Sequence, residues 1–144
     1  MDEIRTKIHI NAPRATVWAA LTRLSDYSDW NPFVTSAEGT VALGERLRIH
    51  VKVPDGPEMD FKPVVYDFRE GVCFRWMGKT LIPGFFTGRH QYELEDAPGG
   101  GTTFHHFEHF SGWGVPLLRK NLFPKNRRGY EAMNEALKVL VESP

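Results

Sequence analysis

Two histidines and one glutamate fall where proton chemistry could be done: His90 in the run GRHQYELED, and His106 and Glu108 in TTFHHFEHFS. An imidazole titrates near neutral pH, so beside a carboxylate it can move a proton or orient a polar head group. His106 and Glu108 are two residues apart, which puts them on one face if their segment is a strand. The plainer reading of the same residues is structural. Glu108 would accept hydrogen bonds from backbone or an arginine at a sheet end, and both histidines would sit in satisfied niches; only geometry separates the two.

Other chemistries have less to stand on. His105 and His109 would share the opposite face of the strand but lie about 13 Å apart at roughly 3.3 Å per residue, too far to chelate one ion unaided. With His106 pointing the other way, no metal site is expected. No serine, cysteine or lysine lies in a nucleophile motif and no phosphate-binding glycine loop occurs, so no cofactor is implied. The basic residues Arg119, Lys120, Lys125, Arg127 and Arg128 suit a solvated helix face, or a surface that touches a membrane.

The elements that must position His90, His106 and Glu108 follow from periodicity. Residues 3–10 alternate, with Ile4, Ile8 and Ile10 inward beside Thr6. Pro13 suits the first turn of a helix carrying Val17, Trp18, Leu21 and Leu24, and a second short helix bears Tyr27 and Trp30 before Asn31 and Pro32 end it. Period two returns with Leu47, Ile49, Val51 and Val53. Residues 54–58 read as a loop. A tight turn at Glu70 and Gly71 would set Arg69 against Val72, Asp67 against Phe74 and Val65 against Trp76. Phe61, Val65, Phe74 and Trp76 then share a face, with Val64, Tyr66, Phe68, Cys73 and Met77 on the other. Residues 79–87 form a hydrophobic connector with Leu81, Ile82, Phe85 and Phe86, placed as a pocket lid would be.

In the last two strands, Gly88, His90, Tyr92 and Leu94 face the core, and a five-residue loop at 96–100 would pair Leu94 with Thr102 and His90 with His106. A six-residue loop would swap the faces and remove His106 and Glu108 from the concave side. Pro124 is expected in the first turn of a final helix whose apolar stripe is Tyr130, Met133, Leu137, Leu140 and Val141. Pro116 is also compatible with a helix start near Val115.

Composition limits the classes of function. Eighteen basic and eighteen acidic residues balance, so no global field attracts nucleic acid. Cys73 is the single cysteine, expected as a buried thiol. Neither a signal-peptide pattern nor an apolar run of bilayer length occurs, which reads as a cytoplasmic protein without stable membrane insertion. What needs explaining is the aromatic content of ten Phe, four Tyr and four Trp. The order is strand, two short helices, six or seven strands in all, then a long helix. This predicts an α+β fold in which a curved antiparallel sheet wraps the C-terminal helix as one domain over 1–144.

Ile10, Ala12, Pro13, Val17, Trp18 and Leu21, followed by Tyr27, Trp30, Asn31 and Pro32, resemble the opening of bacterial polyketide cyclase/dehydrase-like members of the START superfamily. So do Phe74, Trp76 and Gly78; Gly88, His90, Tyr92 and Leu94; Thr102, Phe104, Glu108, Phe110 and Gly112; and Gly129, Tyr130, Met133, Asn134, Leu137 and Lys138. The resemblance spans nearly the whole chain and implies a helix-grip domain with a cavity between sheet and helix. It is specific for fold and weak for activity.

Trp76, Phe85, Phe86, Tyr92, Phe104, Phe110 and Trp113 belong to segments that would line that cavity and its mouth, with Tyr130, Met133 and Leu137 closing it from the helix. A void bordered by Trp76, Tyr92, Phe104 and Met133 is therefore expected. Binding of a small hydrophobic ligand (aromatic, acyl or lipid-like) is favoured over catalysis, because pocket walls are plainer than a catalytic set. The alternatives are a cyclase/dehydratase-type enzyme shuttling protons through His90, His106 or Glu108, and an interaction domain with a filled core. Neither the ligand's identity nor an oligomeric state is legible.

Overall fold

The computed structural model describes residues 2–143. Eight strands occur among them: β1 (Asp2–Ile10), β2 (Val34–Glu38), β3 (Arg48–Lys52), β4 (Glu58–Phe61), β5 (Val64–Arg69), β6 (Cys73–Lys79), β7 (Thr87–Asp96) and β8 (Thr102–Ser111). The helices are α1 (Arg14–Thr22), α2 (Tyr27–Trp30), with a single 3₁₀ turn at Leu24–Asp26 before it, and α3 (Val115–Glu142). One antiparallel sheet has the order β1-β8-β7-β6-β5 and a second β2-β3-β4. Backbone bonds from Gly44 N to Val65 O, Val65 N to Glu45 O and Leu47 N to Pro63 O tie the approach to β3 onto β5. The two sheets thus form one bent wall, and α3 lies in its concavity.

The inward alternation expected of β1, β3 and β7 holds, because only that face carries a continuous apolar row: Ile4, Ile10, Ile49, Val51, Tyr92 and Leu94 are all buried. Two registers differ from expectation. The loop between β7 and β8 has five residues, but they are 97–101, so the pairing moves by two and Tyr92 opposes His106 while His90 opposes Glu108. A two-residue shift preserves the faces, so His90, His106 and Glu108 all remain on the concave side. Between β5 and β6 the turn is longer than expected and sets Arg69 against Cys73; an irregularity between Val65 and Asp67 then restores the expected Val65–Trp76 pair. The shift brings Phe68 opposite Phe74, not onto the face of Cys73, and its ring packs 5.8 Å from that of Trp18.

α3 does not start at Pro124. It begins at Val115 with Pro116 in its first turn and runs through Pro124. A proline there removes one intrahelical bond, a cost set against the burial of Asn126, Gly129, Tyr130, Met133, Asn134 and Leu137 on one side of the helix. Leu140 leaves the expected stripe and is 42% exposed, on an open groove beside α1 and Trp30. Gly129 has a separate reason: a Cβ there would run into the Phe33 ring, which packs edge-on to Tyr130 at 5.2 Å. Cys73 is buried. No helix among the described residues is long and apolar enough to cross a membrane.

Candidate functional site

β1, β7, β8 and α3 bring together a connected set of buried polar side chains on the concave face. Asn134 Nδ2 donates to Thr6 Oγ1 at 2.9 Å, and the Thr6 hydroxyl donates to the His106 carbonyl at 2.7 Å. Asn134 Oδ1 is left to accept from His106 Nδ1 at 2.8 Å, which places the His106 proton on Nδ1. Burial first, and the charge of the neighbouring His90 second, hold the His106 imidazole well below the usual histidine range. His106 is therefore neutral and its Nε2 is an acceptor. His90 Nε2, 2.6 Å away, must donate to it.

His90 Nδ1 lies 3.2 Å from Glu108 Oε1. The contact is within ion-pair distance but is not aligned as a hydrogen bond; a proton held by the pair is carried either on His90, as an imidazolium facing a carboxylate, or on Glu108, as an acid facing a neutral ring. The Tyr130 hydroxyl also donates to Glu108 Oε1. Burial and the adjacent Glu108 raise the Tyr130 phenol well above its ordinary value, so it stays a donor throughout the neutral range. Glu108 Oε2 accepts nothing in this network. It rests against Gly88, where any Cβ would collide with it.

Next to this set is a cavity of about 90 Å³. Trp76, Phe86, His90, Phe110 and Tyr130 line it as expected, and Glu108 joins them. Tyr92, Phe104 and Met133 do not. They are fully buried in a packed aromatic column in which Phe104 and His106 stack at 5.4 Å and His106 and Tyr130 at 4.7 Å. Leu137 belongs to the same packed end. His106 stands one step behind His90, off the wall. Phe85 and Trp113 pack against each other outside, with ring centroids 4.7 Å apart and Trp113 61% exposed. The connector reaches the cavity through Phe86 alone; Leu81 and Ile82 face solvent.

The void lies beyond the expected place because Gly78, paired with Gly88 across β6 and β7, leaves the wall open: a Cβ there meets only Pro63, at 4.0 Å, while the place over Gly88 is taken by Glu108. A glycine inside each strand pattern was the one sequence signal for it; that the two face each other is a matter of register. The opposite wall comes from Phe33, Val34, Ile49, Val51, Met59 and Phe61, and Leu122 and Asn126 extend the helix side. No spacing within β2–β4 connects them with His90, so periodicity alone does not find them. A wider groove of about 730 Å³ beside Trp18 and Gly39 is open to solvent and holds no such network. No group of three or more potential metal ligands clusters among the described residues.

Comparison with known proteins agrees with this architecture. A family model described as polyketide cyclase / dehydrase and lipid transport matches residues 1–142. No curated protein matches significantly by sequence. Among solved structures, an aromatase/cyclase from Streptomyces superposes with a TM-score of 0.80 at 16% identity, over 98% of this chain and 93% of that one. A START superfamily protein from Mycobacterium smegmatis gives 0.73 at 16% identity, over 97% of each chain. A protein from Mesorhizobium loti gives 0.74 at 17%, over 98% of this chain and 97% of the other. At these identities the likeness is one of fold.

Proposed function

Since the chain belongs to the polyketide cyclase / dehydrase and lipid transport family, we propose that it binds and carries a small, largely apolar ligand in the cavity between sheet and α3. One observation carries this reading: an apolar void closed at one end by His90, Glu108 and Tyr130. Apolar walls with a few convergent polar groups are what small-molecule sites require. A filled core, the premise of an interaction domain, does not fit a void of about 90 Å³. An apolar cavity of about 150 Å³ admits benzene, so at about 90 Å³ even a guest of that size requires the walls to part. β4, which is half-buried to exposed throughout and contributes Met59 and Phe61, is the wall with least holding it.

The test is native mass spectrometry of the purified protein beside Gly78→Leu, which would place a side chain in the void; a Cβ at this position meets only Pro63, at 4.0 Å. A small molecule retained by the parent and lost from the variant supports the reading. Equal retention by both would overturn it.

The close approach of His90 to Glu108 favours a second reading, a cyclase- or dehydratase-like enzyme in which this pair delivers and recovers one proton. Glu108→Gln separates the two. For a carrier it would change affinity by about the 1–3 kcal/mol of a buried hydrogen bond, with no change in the ligand. For an enzyme it would slow product formation by about 10²- to 10⁴-fold while binding persists.

A further inference from the structure

Asn126 lies on α3 one turn before Tyr130, is 7% exposed and lines the cavity. The other polar side chains on this side of α3 have partners: Tyr130 holds Glu108, and Asn134 holds His106 and Thr6. The Asn126 side chain hydrogen-bonds to none of the described residues. The amide is not among the sealed, partnerless polar atoms, and it lines the cavity, so its donor and acceptor are open to an occupant. Glu108 Oε2, and the indole N–H of Trp76, are further polar atoms of cavity-lining residues that hydrogen-bond to none of the described residues.

Charge decides what that occupant can be. The lining includes no lysine or arginine, and its histidine, His90, already faces the Glu108 carboxyl at 3.2 Å. A ligand carboxylate or phosphate would enter a largely apolar cavity beside Glu108 with no free cation to meet it, and burying an unpaired charge is strongly unfavourable.

Building on the carrier reading, we infer that the cavity selects an uncharged ligand whose polar group meets both the Asn126 amide and Glu108 Oε2, as a hydroxyl or phenol can, and that Asn126 determines this specificity. A hydroxyl donates to the carboxylate oxygen and accepts from the Asn126 amide at once; a free fatty acid or a phosphorylated head group does neither without adding charge.

The experiment uses three probes of matched shape, 4-ethylphenol, ethylbenzene and 4-ethylbenzoate, titrated at pH 8 into the full chain and into Asn126→Leu, with affinities read from NMR shift changes at Gly78 and Gly88. The expected order for the parent is the phenol about ten-fold or more above ethylbenzene, equivalent to about 1.4 kcal/mol, with the benzoate weakest. Asn126→Leu keeps ethylbenzene binding and loses the phenol's advantage. If 4-ethylbenzoate binds the parent best, the selection for an uncharged ligand is wrong although the cavity still binds. A phenol-to-ethylbenzene ratio equal in parent and variant removes Asn126 from recognition. If no probe binds the parent, the carrier reading itself fails, and this inference with it.

Discussion

The same strands and the same helix build two unlike halves of the interior. Toward one end, Leu94 and Tyr92 on β7, Phe104 and His106 on β8, and Met133 and Leu137 on α3 leave no space. Toward the other, the next inward positions along those elements are His90 and Gly88, Glu108 and Phe110, Tyr130 and Asn126, and a void remains. Strand direction and face are unchanged between the halves. What changes is side-chain volume at the Gly78–Gly88 pair, and the polar network forms the boundary between packed and open.

Substitutions at the two ends should differ most in stability. Phe104→Ala, in the closed column, is expected to cost about 3–5 kcal/mol in urea unfolding, because a large ring leaves a cavity that its neighbours cannot fill. Gly78→Val, at the open end, should be neutral or stabilising, since it fills space and suits a strand better than glycine. Comparable losses at both sites would show that the open end is as tightly packed as the closed one.

The boundary itself should be sensitive to about 1–3 kcal/mol. Asn134→Leu strips the His106 Nδ1–H and the Thr6 hydroxyl of a partner and should cost about that much. Nitrogen shifts of His106 should show the proton on Nδ1 in the parent and a changed tautomer balance in the variant. A variant with unchanged stability and unchanged shifts would dissolve the boundary as a working unit.

Acid should act on that boundary too. The His106 pKa is lower in the folded protein than its unfolded value near 6.5, so below that value the unfolded chain binds the extra proton first. Stability is complete above about pH 6.5 and falls as pH drops toward the folded value, with a slope of at most about 1.4 kcal/mol per pH unit from this group. His50 runs the other way, its pKa raised by Glu58 and then Asp60, but its side chain is about a third exposed, its carboxylate partners are more so, and the pair is screened. Unfolding of His106→Gln followed between pH 5 and 7 should show a flatter profile than the parent, and an equal slope would assign the acid sensitivity elsewhere.

The smallest effect is expected outside both halves. Trp113→Ser should cost about 0.5–1.5 kcal/mol, as it removes the edge-on contact with Phe85 from a ring that lines neither the column nor the void. A larger loss in thermal unfolding would tie the connector to the cavity mouth.

Much of this was legible in the residues alone. Period-two alternation put Ile49 and Val51, His90 and Tyr92, and His106 and Glu108 on their faces, and helical spacing put Tyr130, Met133 and Leu137 together, because side-chain direction repeats with backbone geometry. Register was less legible. Moving a five-residue loop by one position keeps every face but changes every partner, which is why Glu108 stands directly opposite His90 and His106 reaches it from the diagonal. The run of α3 through Pro124 was hidden because helix propensity speaks against it, and only packing against the sheet outweighs that cost. The cavity was the least legible feature. It depends on walls from β2–β4, distant in sequence from His90, and on two glycines that become neighbours only when β6 pairs with β7. Local pattern determines which way a side chain points; how much space remains after all of them have pointed inward is set by long-range pairing, and only the tertiary structure decides it.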